Sequence, residues 1–271
     1  MPARITPDGT RGLIIASGEL TSDQASISLL TRLLSNCGEH VRVLILVAPD
    51  EAGDDDAELE SALLVAGARE VRAHALHSRV DASRSPLIDS LDQTDLLLFG
   101  PHLPLRLTAL IGGTDLARAI RRRNADGLHV AALGSAAALL CEHMLASGSA
   151  GITPRVGSAS LAPGLGLTNR VLIDQGGHAS DRLGRLLAAL ALNPFALGVG
   201  IDAATAAIIG PDNVMEVIGS GGVTVIDPAE MAETNIADVA HGAPIRVTNL
   251  RLHALTGGAR YDLDFRRSLP S

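Results

Sequence analysis

Residues 128–140 read Leu128-His-Val-Ala-Ala-Leu-Gly-Ser-Ala-Ala-Ala-Leu-Leu140, and this stretch decides the fold. An apolar run, a pair of small residues and a run of helix formers follow one another without a break. That order predicts a buried strand, a tight turn at Gly134-Ser135 and a helix. A strand feeding a helix through such a turn is the geometry of a nucleophile elbow, which lifts a serine oxygen to the top of a parallel sheet. With Ser135 in the turn, the segment is a candidate acyl-transfer site whose helix-terminal amides face a developing oxyanion. The same residues also suit a plain turn that lets a helix pack closely on a sheet.

The flanks agree with a parallel sheet. Upstream, strands are expected at 12–17 (GLIIAS), 41–48 (VRVLILVA), 70–76 and 94–100 (TDLLLFG). Between them fall helices, the first with Leu29, Leu30, Leu33 and Leu34 on one face, capped by Thr21 or Ser22 and ended by Gly38. Further helices are expected over 57–68, 84–92 and 105–123. Downstream come short strands at 171–174, 198–201, 206–209, 214–217 and 222–227, interrupted by one helix over 180–192. A final antiparallel hairpin is expected from 249–255 and 259–265 around Thr256-Gly-Gly. The β-α-β-α order predicts an α/β three-layer sandwich with a mostly parallel central sheet and a C-terminal antiparallel hairpin. Residues 1–271 read as a single domain, with no linker or repeat.

Composition narrows the function. Of 271 residues, 46% are hydrophobic, and no run of about 18 apolar residues suggests a membrane span. The first residues lack the basic-then-apolar pattern of a signal peptide, so a cytoplasmic location is expected. Cys37 and Cys141 both fall in helix-like segments and suggest neither a disulfide nor a metal site. The formal charge is -8 and every basic residue is an arginine, with no basic stripe for nucleic acid. The aromatic residues are Phe99, Phe195, Phe265 and Tyr261 alone, too few for a base-stacking platform. The acidic run Asp54-Asp-Asp-Ala-Glu-Leu-Glu60 reads as a solvated helix start. His74 and His77 lie on one strand, three apart, and point to opposite faces, so they are no ligand pair. No metal and no cofactor is expected.

Two further segments lie at expected C-terminal ends of strands, where open α/β sheets place their sites. In Asp174-Gln-Gly-Gly-His-Ala-Ser-Asp-Arg-Leu-Gly-Arg185, His178 is a candidate general base. Arg182 and Arg185, three apart on one helix face, can clamp a carboxylate. The plainer reading is a surface loop with solvated arginines. In Gly198-Val-Gly-Ile-Asp-Ala-Ala-Thr205, Asp202 can orient a base or simply cap the following turn.

These segments, in this order, resemble the cyanophycinases of the S51 serine peptidase family, which includes the alpha-aspartyl dipeptidases. The resemblance covers nearly the whole chain. It rests on 12–19 (GLIIASGE), on Leu105-Arg-Leu-Thr-Ala-Leu-Ile-Gly-Gly-Thr-Asp-Leu116, on 171–202 (VLIDQ…RLGRLLAALALNP…GVGID) and on Asn249-Leu-Arg-Leu-His-Ala-Leu-Thr-Gly-Gly-Ala-Arg-Tyr-Asp-Leu263. It implies a class I glutamine-amidotransferase-like fold, a dimer, and cleavage of the β-Asp-Arg linkages of cyanophycin by a Ser-His-Glu triad.

Position by position, that triad is missing. The family elbow reads Gly-Thr-Ser-Ala-Gly-Ala and its helix ends near Ser-x-x-Met; aligned without a gap on Cys141-Glu-His-Met144, the nucleophile position holds Gly134, and Ser135 falls one place late. The base position after Asp174-Gln175 holds Gly176, and His178 falls two places late. The third position, after Asp202, holds Ala203. The family's Gly-Gly-Asp-Gln substrate motif has become Pro101-His-Leu-Pro104. Asp174, Gln175, Arg182 and Arg185 remain as substrate-binding candidates.

Three readings follow. In the first, the chain is a catalytically inactive cyanophycinase-like protein, a homodimer or the partner of an active cyanophycinase, that binds cyanophycin or β-Asp-Arg. In the second, it is an active serine exopeptidase on cyanophycin or β-aspartyl peptides, with Ser135 as nucleophile, His178 as base and Asp202 or Glu142 as orienter. In the third, it is a structural or regulatory partner without a ligand, with Arg182 and Arg185 held in internal salt bridges.

Overall fold

Apolar runs rich in Ile, Val and Leu favour strands buried on both faces, and the amphipathic stretches between them return the chain to the same edge. The computed structural model describes residues 10–20, 24–49, 55–101, 104–175 and 179–270. The first half runs β1 (Ile14–Ser17), α1 (Gln24–Cys37), β2 (Arg42–Val47), α2 (Asp55–Val65), β3 (Glu70–Ala75), α3 (Ser85–Ser90), β4 (Leu96–Phe99), α4 (Pro104–Ile111), α5 (Asp115–Ala125) and β5 (His129–Ala132). Its strands pair in parallel, in the spatial order β3-β2-β4-β5-β1.

The second half adds β6 (His143–Gly148), β7 (Ala159–Pro163), β8 (Val171–Gln175), α6 (Ala179–Leu192), β9 (Leu197–Ile201), β10 (Thr205–Ile209), β11 (Val214–Gly219) and β12 (Gly222–Asp227). The short pair β13 (Glu233–Thr234) and β14 (Val247–Thr248) follows, then β15 (Arg251–Thr256), β16 (Arg260–Asp262) and β17 (Arg267–Leu269). Strands β10, β11, β16 and β17 extend the central sheet antiparallel beyond β1. A second sheet has the order β15-β12-β9-β8.

Strand alternation assigns the layers. Leu44 and Leu46 of β2 face one core with α3, α4 and α5; Val43, Ile45 and Val47 face the other, against Leu29, Leu30, Leu33 and Leu34 of α1. The second sheet lies on the α3–α5 side, with Ile173, Val199 and Val225 in that core. Its far face, through Leu172 and Ile226, packs on Leu186 and Leu190 of α6. The sandwich thus carries an added sheet and helix on one side. Among the described residues no helix is long and apolar enough to cross a membrane.

Several local expectations change. The helix expected over 105–123 is two helices, α4 and α5, separated at Gly112-Gly113, and Thr114 caps the second by accepting the Ala117 amide. The chain does end in an antiparallel hairpin, but it is formed by β16 and β17. Residues 251–256 pair instead with β12. The cause lies at the Thr256-Gly-Gly turn: Gly258 donates to the Val217 carbonyl and Val217 to Ala259, which hands the chain over to β11. Cys141 lies in no helix. The caps Thr21 and Ser22, and Asp54, lie outside the described residues.

The ion pairs that stitch these elements predict an acid limit. Arg42 donates Nε to Asp95 at 2.9 Å and its own amide to the same carboxylate at 2.9 Å. These bonds, foremost that of the Arg42 side chain, hold the Asp95 carboxyl below the usual range. Burial alone would raise the Asp227 carboxyl, yet the Ala229 amide and the guanidinium groups of Arg266 and Arg251 outweigh it and lower it. A carboxyl depressed in the folded state stabilises at pH above its unfolded value, about 3.9, and that stability is lost as pH falls through the folded value. Thermal melts should therefore hold steady from about pH 7 to 5 and drop below about pH 4. Asp95→Asn should flatten part of that drop.

Candidate active site

The elbow sits at the C-terminal end of β5, between β1 and β4. Leu133 still donates to the Phe99 carbonyl at 3.1 Å, and Gly134 donates to Gly18 at 3.4 Å. Gly134 then turns left-handed, with φ +56°, a conformation costly to any residue with a β-carbon. Beyond it the chain forms a seven-residue 3-10 segment, Gly134–Leu140, in place of the expected α-helix. Its last carbonyls are already taken: Leu165 donates to Leu139, Leu167 to Leu140 and Gly166 to Cys141. An α-helix needs those carbonyls for its own next turn, so it ends here. Short, small side chains at Ala136, Ala137 and Ala138 let the segment lie buried against β8.

Pro101 closes over the turn. The Ser135 hydroxyl donates to the Pro101 carbonyl at 2.8 Å. A β-carbon on Gly134 would stand 3.1 Å from Pro101 Cβ and 3.3 Å from its carbonyl oxygen. What faces the turn from this residue is therefore an acceptor, on a residue with no N–H.

Beside Ser135 lies a cavity of about 130 Å³ whose lining includes Ser135, Ser147, Ile173, Asp174, Arg182 and Arg185. Room for ~4 waters, at about 30 Å³ each, sets its scale. Arg185 donates Nε to Asp174 Oδ2 at 2.7 Å and makes a second bond, Nη2 to Oδ1. The side chains are 12% and 5% exposed, which makes this a buried, two-pronged ion pair. Arg185 is thus held internally while also lining the cavity, and Arg182 lines it beside it.

The pair is roofed by the β6–β7 hairpin. A β-carbon on Gly184 would meet the Gly151 carbonyl oxygen at 2.6 Å, and one on Gly148 would meet Arg185 Cδ at 2.8 Å. Both glycines let the hairpin lie directly on α6, and the Gly184 amide donates to Gly151 at 2.9 Å. A register shift between Leu145 and Ser147 sets these residues and Ala146 along the cavity wall, a common use of a bulge near a site.

This chain is 36% identical over 206 residues to the cyanophycinase of Trichormus variabilis (strain ATCC 29413 / PCC 7937), a match covering 76% of this chain and 69% of that one. It is 34% identical over 259 residues to the cyanophycinase of Synechococcus elongatus, covering 94% and 80%. The chain belongs to the cyanophycinase family. No family model matches it. In structure it is similar to a peptidase from an acI-B1 Actinobacterium, with TM-score 0.62 and 16% identity over 93% of this chain and 97% of that one; that likeness shows the fold.

Within the cyanophycinase frame, the structure brings four nominated residues to one cavity: Ser135, Asp174, Arg182 and Arg185. Gly176 and His178 lie outside the described residues, and Gln175 is placed only as the last residue of β8. Asp202 and Glu142 do not line the cavity. Asp202 Oδ2 accepts the Gly222 amide at 2.9 Å and its own amide donates to Gly222, so it ties β9 to β12. Ala203 lies in the turn between β9 and β10, its carbonyl accepting from Thr205 Oγ1. Glu142 has its backbone pinned to Thr168 and Gly164, at the far end of the 3-10 segment.

Two features went unread in the sequence. The β6–β7 hairpin had a signal, short apolar runs flanking the Gly- and Ser-rich stretch 147–151. The role of the Pro101 carbonyl had none, because its partner is 34 residues away.

Proposed function

We propose that this chain is a non-catalytic member of the cyanophycinase family, a cytoplasmic protein that binds cyanophycin or β-Asp-Arg without cleaving it. The observation that carries this reading is the Pro101 carbonyl over the elbow. Acyl transfer needs N–H donors aimed at the oxygen on which negative charge develops. A carbonyl oxygen in that place opposes the charge, and a carbonyl holding the Ser135 proton is no base to accept it. The left-handed residue of the turn is Gly134, and an elbow carries its nucleophile on the strained residue; Gly134 has no side chain to offer. Loss of a nucleophile typically costs several orders of magnitude in rate.

The test is to incubate the purified protein with cyanophycin and measure both dipeptide release and binding. The expected result is binding with release at least ~1,000-fold slower than the Trichormus variabilis relative. Ser135→Ala should leave that residue of activity unchanged. Release at a rate near that of the relative would overturn the proposal.

A second reading, an active serine exopeptidase using Ser135 and His178, is favoured by one observation: Ser135 lines the same cavity as Asp174, Arg182 and Arg185. It predicts release that Ser135→Ala and His178→Ala each abolish.

A further inference from the structure

The parallel strands of the central sheet have two ends, and the elbow occupies one of them. At the other, where β2, β4 and β5 begin, lies a cavity of about 410 Å³ whose lining includes Glu39, Arg42, Asp95, Asp126 and His129. Next to it, between α3 and α5, is a cavity of about 260 Å³ whose lining includes Asp89 and Arg122. Asp92 and Arg123 line both cavities and form an ion pair with each other. The two cavities therefore adjoin along this pair as one polar cleft, at the opposite end of the sheet from Ser135.

Which of its charges are already spent decides what the cleft can take. Arg42 gives Nε and Nη2 to Asp95 at 2.9 and 2.8 Å, and Arg123 is held by Asp92. His129 and Cys37 add no charge at neutral pH. The His129 Nδ1 accepts the Leu13 amide at 3.0 Å and burial lowers its pKa, while burial pushes the Cys37 thiol up to about 12. Among the described residues, four charged side chains of the cleft then have no ion-pair partner. Glu39 and Asp126 are carboxylates in the larger cavity; Asp89 and Arg122 face each other across the smaller one from α3 and α5. Arg122 and Asp126 lie four residues apart at the end of α5, in the order that pairs less well along a helix, and no ion pair joins them.

We propose that this cleft binds free arginine, with its guanidinium between Glu39 and Asp126, its α-carboxylate on Arg122 and its α-ammonium beside Asp89. The ligand follows from the pattern of unspent charge. Two carboxylates in one cavity call for a cation, and a carboxylate facing a guanidinium in the adjoining one calls for an ammonium and a carboxylate side by side, which is the head of an α-amino acid. The spacing agrees. Arg122 and Asp126 are separated by one helical turn, about 6 Å along α5, which the stem of an arginine side chain can span. Carboxylates on two walls suit a planar fork with donors along two edges, which a guanidinium has and a compact ammonium lacks. The Arg42–Asp95 and Arg123–Asp92 pairs hold the walls in place. The cleft shares no lining residue with the cavity beside Ser135, so its occupancy is independent of the function proposed above.

The test is a titration of the full chain with arginine, followed by the NMR shifts of its backbone amides, for the wild type and for Glu39→Gln/Asp126→Asn. Both side chains are exposed, so the variant should fold, which its circular dichroism will confirm. Arginine should shift the amides of Asp89, Arg122, Asp126 and Gly127 saturably, and more weakly at high salt, as expected for solvent-accessible charges. The variant should bind at least ~10-fold more weakly. Lysine tests the guanidinium and N-acetyl-arginine tests the α-ammonium; each should bind several-fold more weakly than arginine. Titration with β-Asp-Arg separates this site from the one beside Ser135, because binding there shifts the amides of Ser135 and Ser147 whether or not the cleft is filled. A wild type in which arginine moves none of the cleft amides, a variant that binds arginine as tightly as the wild type, or lysine and N-acetyl-arginine binding as tightly as arginine would each overturn the proposal.

Discussion

Replacing Asp174 with alanine will destabilise the protein by about 3–5 kcal/mol, because it strands a buried guanidinium. Arg185 is 12% exposed and its Nε and Nη2 both point into Asp174. Without the carboxylate, the hydrogen bond left to it among the described residues is a long one of 3.5 Å from Nη1 to the Gly148 carbonyl, too little to solvate a charge. For a chain of this size the loss corresponds to a fall in melting temperature of roughly 10 °C. The penalty belongs to the orphaned charge more than to the lost attraction. The double variant Asp174→Leu/Arg185→Met should therefore recover much of it, since well-packed apolar residues commonly replace a buried pair at little cost. Urea unfolding of the wild type, the single and the double variant gives the answer. A double variant no more stable than Asp174→Ala would mean that the pair's hydrogen bonds, and not its charge balance, hold this region.

Gly184→Val should cost on the order of 2–3 kcal/mol. The usual expectation for a helical glycine runs the other way: alanine in its place gains about 1 kcal/mol when the site faces solvent. Here a β-carbon would stand 2.6 Å from the Gly151 carbonyl oxygen and 2.8 Å from that of Thr153. Both are backbone atoms, so the hairpin must lift off α6 and break the Gly184-to-Gly151 hydrogen bond. Lifting it also removes Gly148 from above Arg185, so the substitution loosens the cavity wall as well as the helix contact. Even Gly184→Ala should destabilise, and a stabilising alanine would show that the hairpin does not dock as described.

The parts of the fold legible in the sequence were those set by local pattern. Ile14, Ile15 and the apolar run Val43–Val47 could be little but buried strands, and the Leu29, Leu30, Leu33, Leu34 stripe fixed the face of α1. The parts that misled were set by partners far along the chain. The elbow helix stops at Leu140 because residues 165–167 take the carbonyls that its next turn would need, and no window around 134–140 contains those residues. The final hairpin moved by one strand because Val217, far upstream of the turn, captures Gly258 and Ala259. At the site, Arg182 and Arg185 follow from their three-residue spacing and Asp174 from the family resemblance, and the structure sets all three around one cavity with Ser135. Asp202 was read both as an orienter and as a cap; it bonds the Gly222 amide on the neighbouring strand, a long-range version of the second role.

The Pro101 carbonyl also limits what point substitutions can do at this turn. Gly134→Ser alone would place a β-carbon 3.1 Å from Pro101 in a backbone conformation that disfavours it. Changing Pro101 alone would leave the acceptor that Ser135 now uses, because that oxygen belongs to the main chain, and would add no side chain at position 134. Each single step is costly or idle, and even the pair leaves the main-chain oxygen of residue 101 only 3.3 Å from the new β-carbon. A side chain at position 134 therefore needs the backbone at residue 101 itself to move, a shift that no exchange of side chains at these two positions supplies.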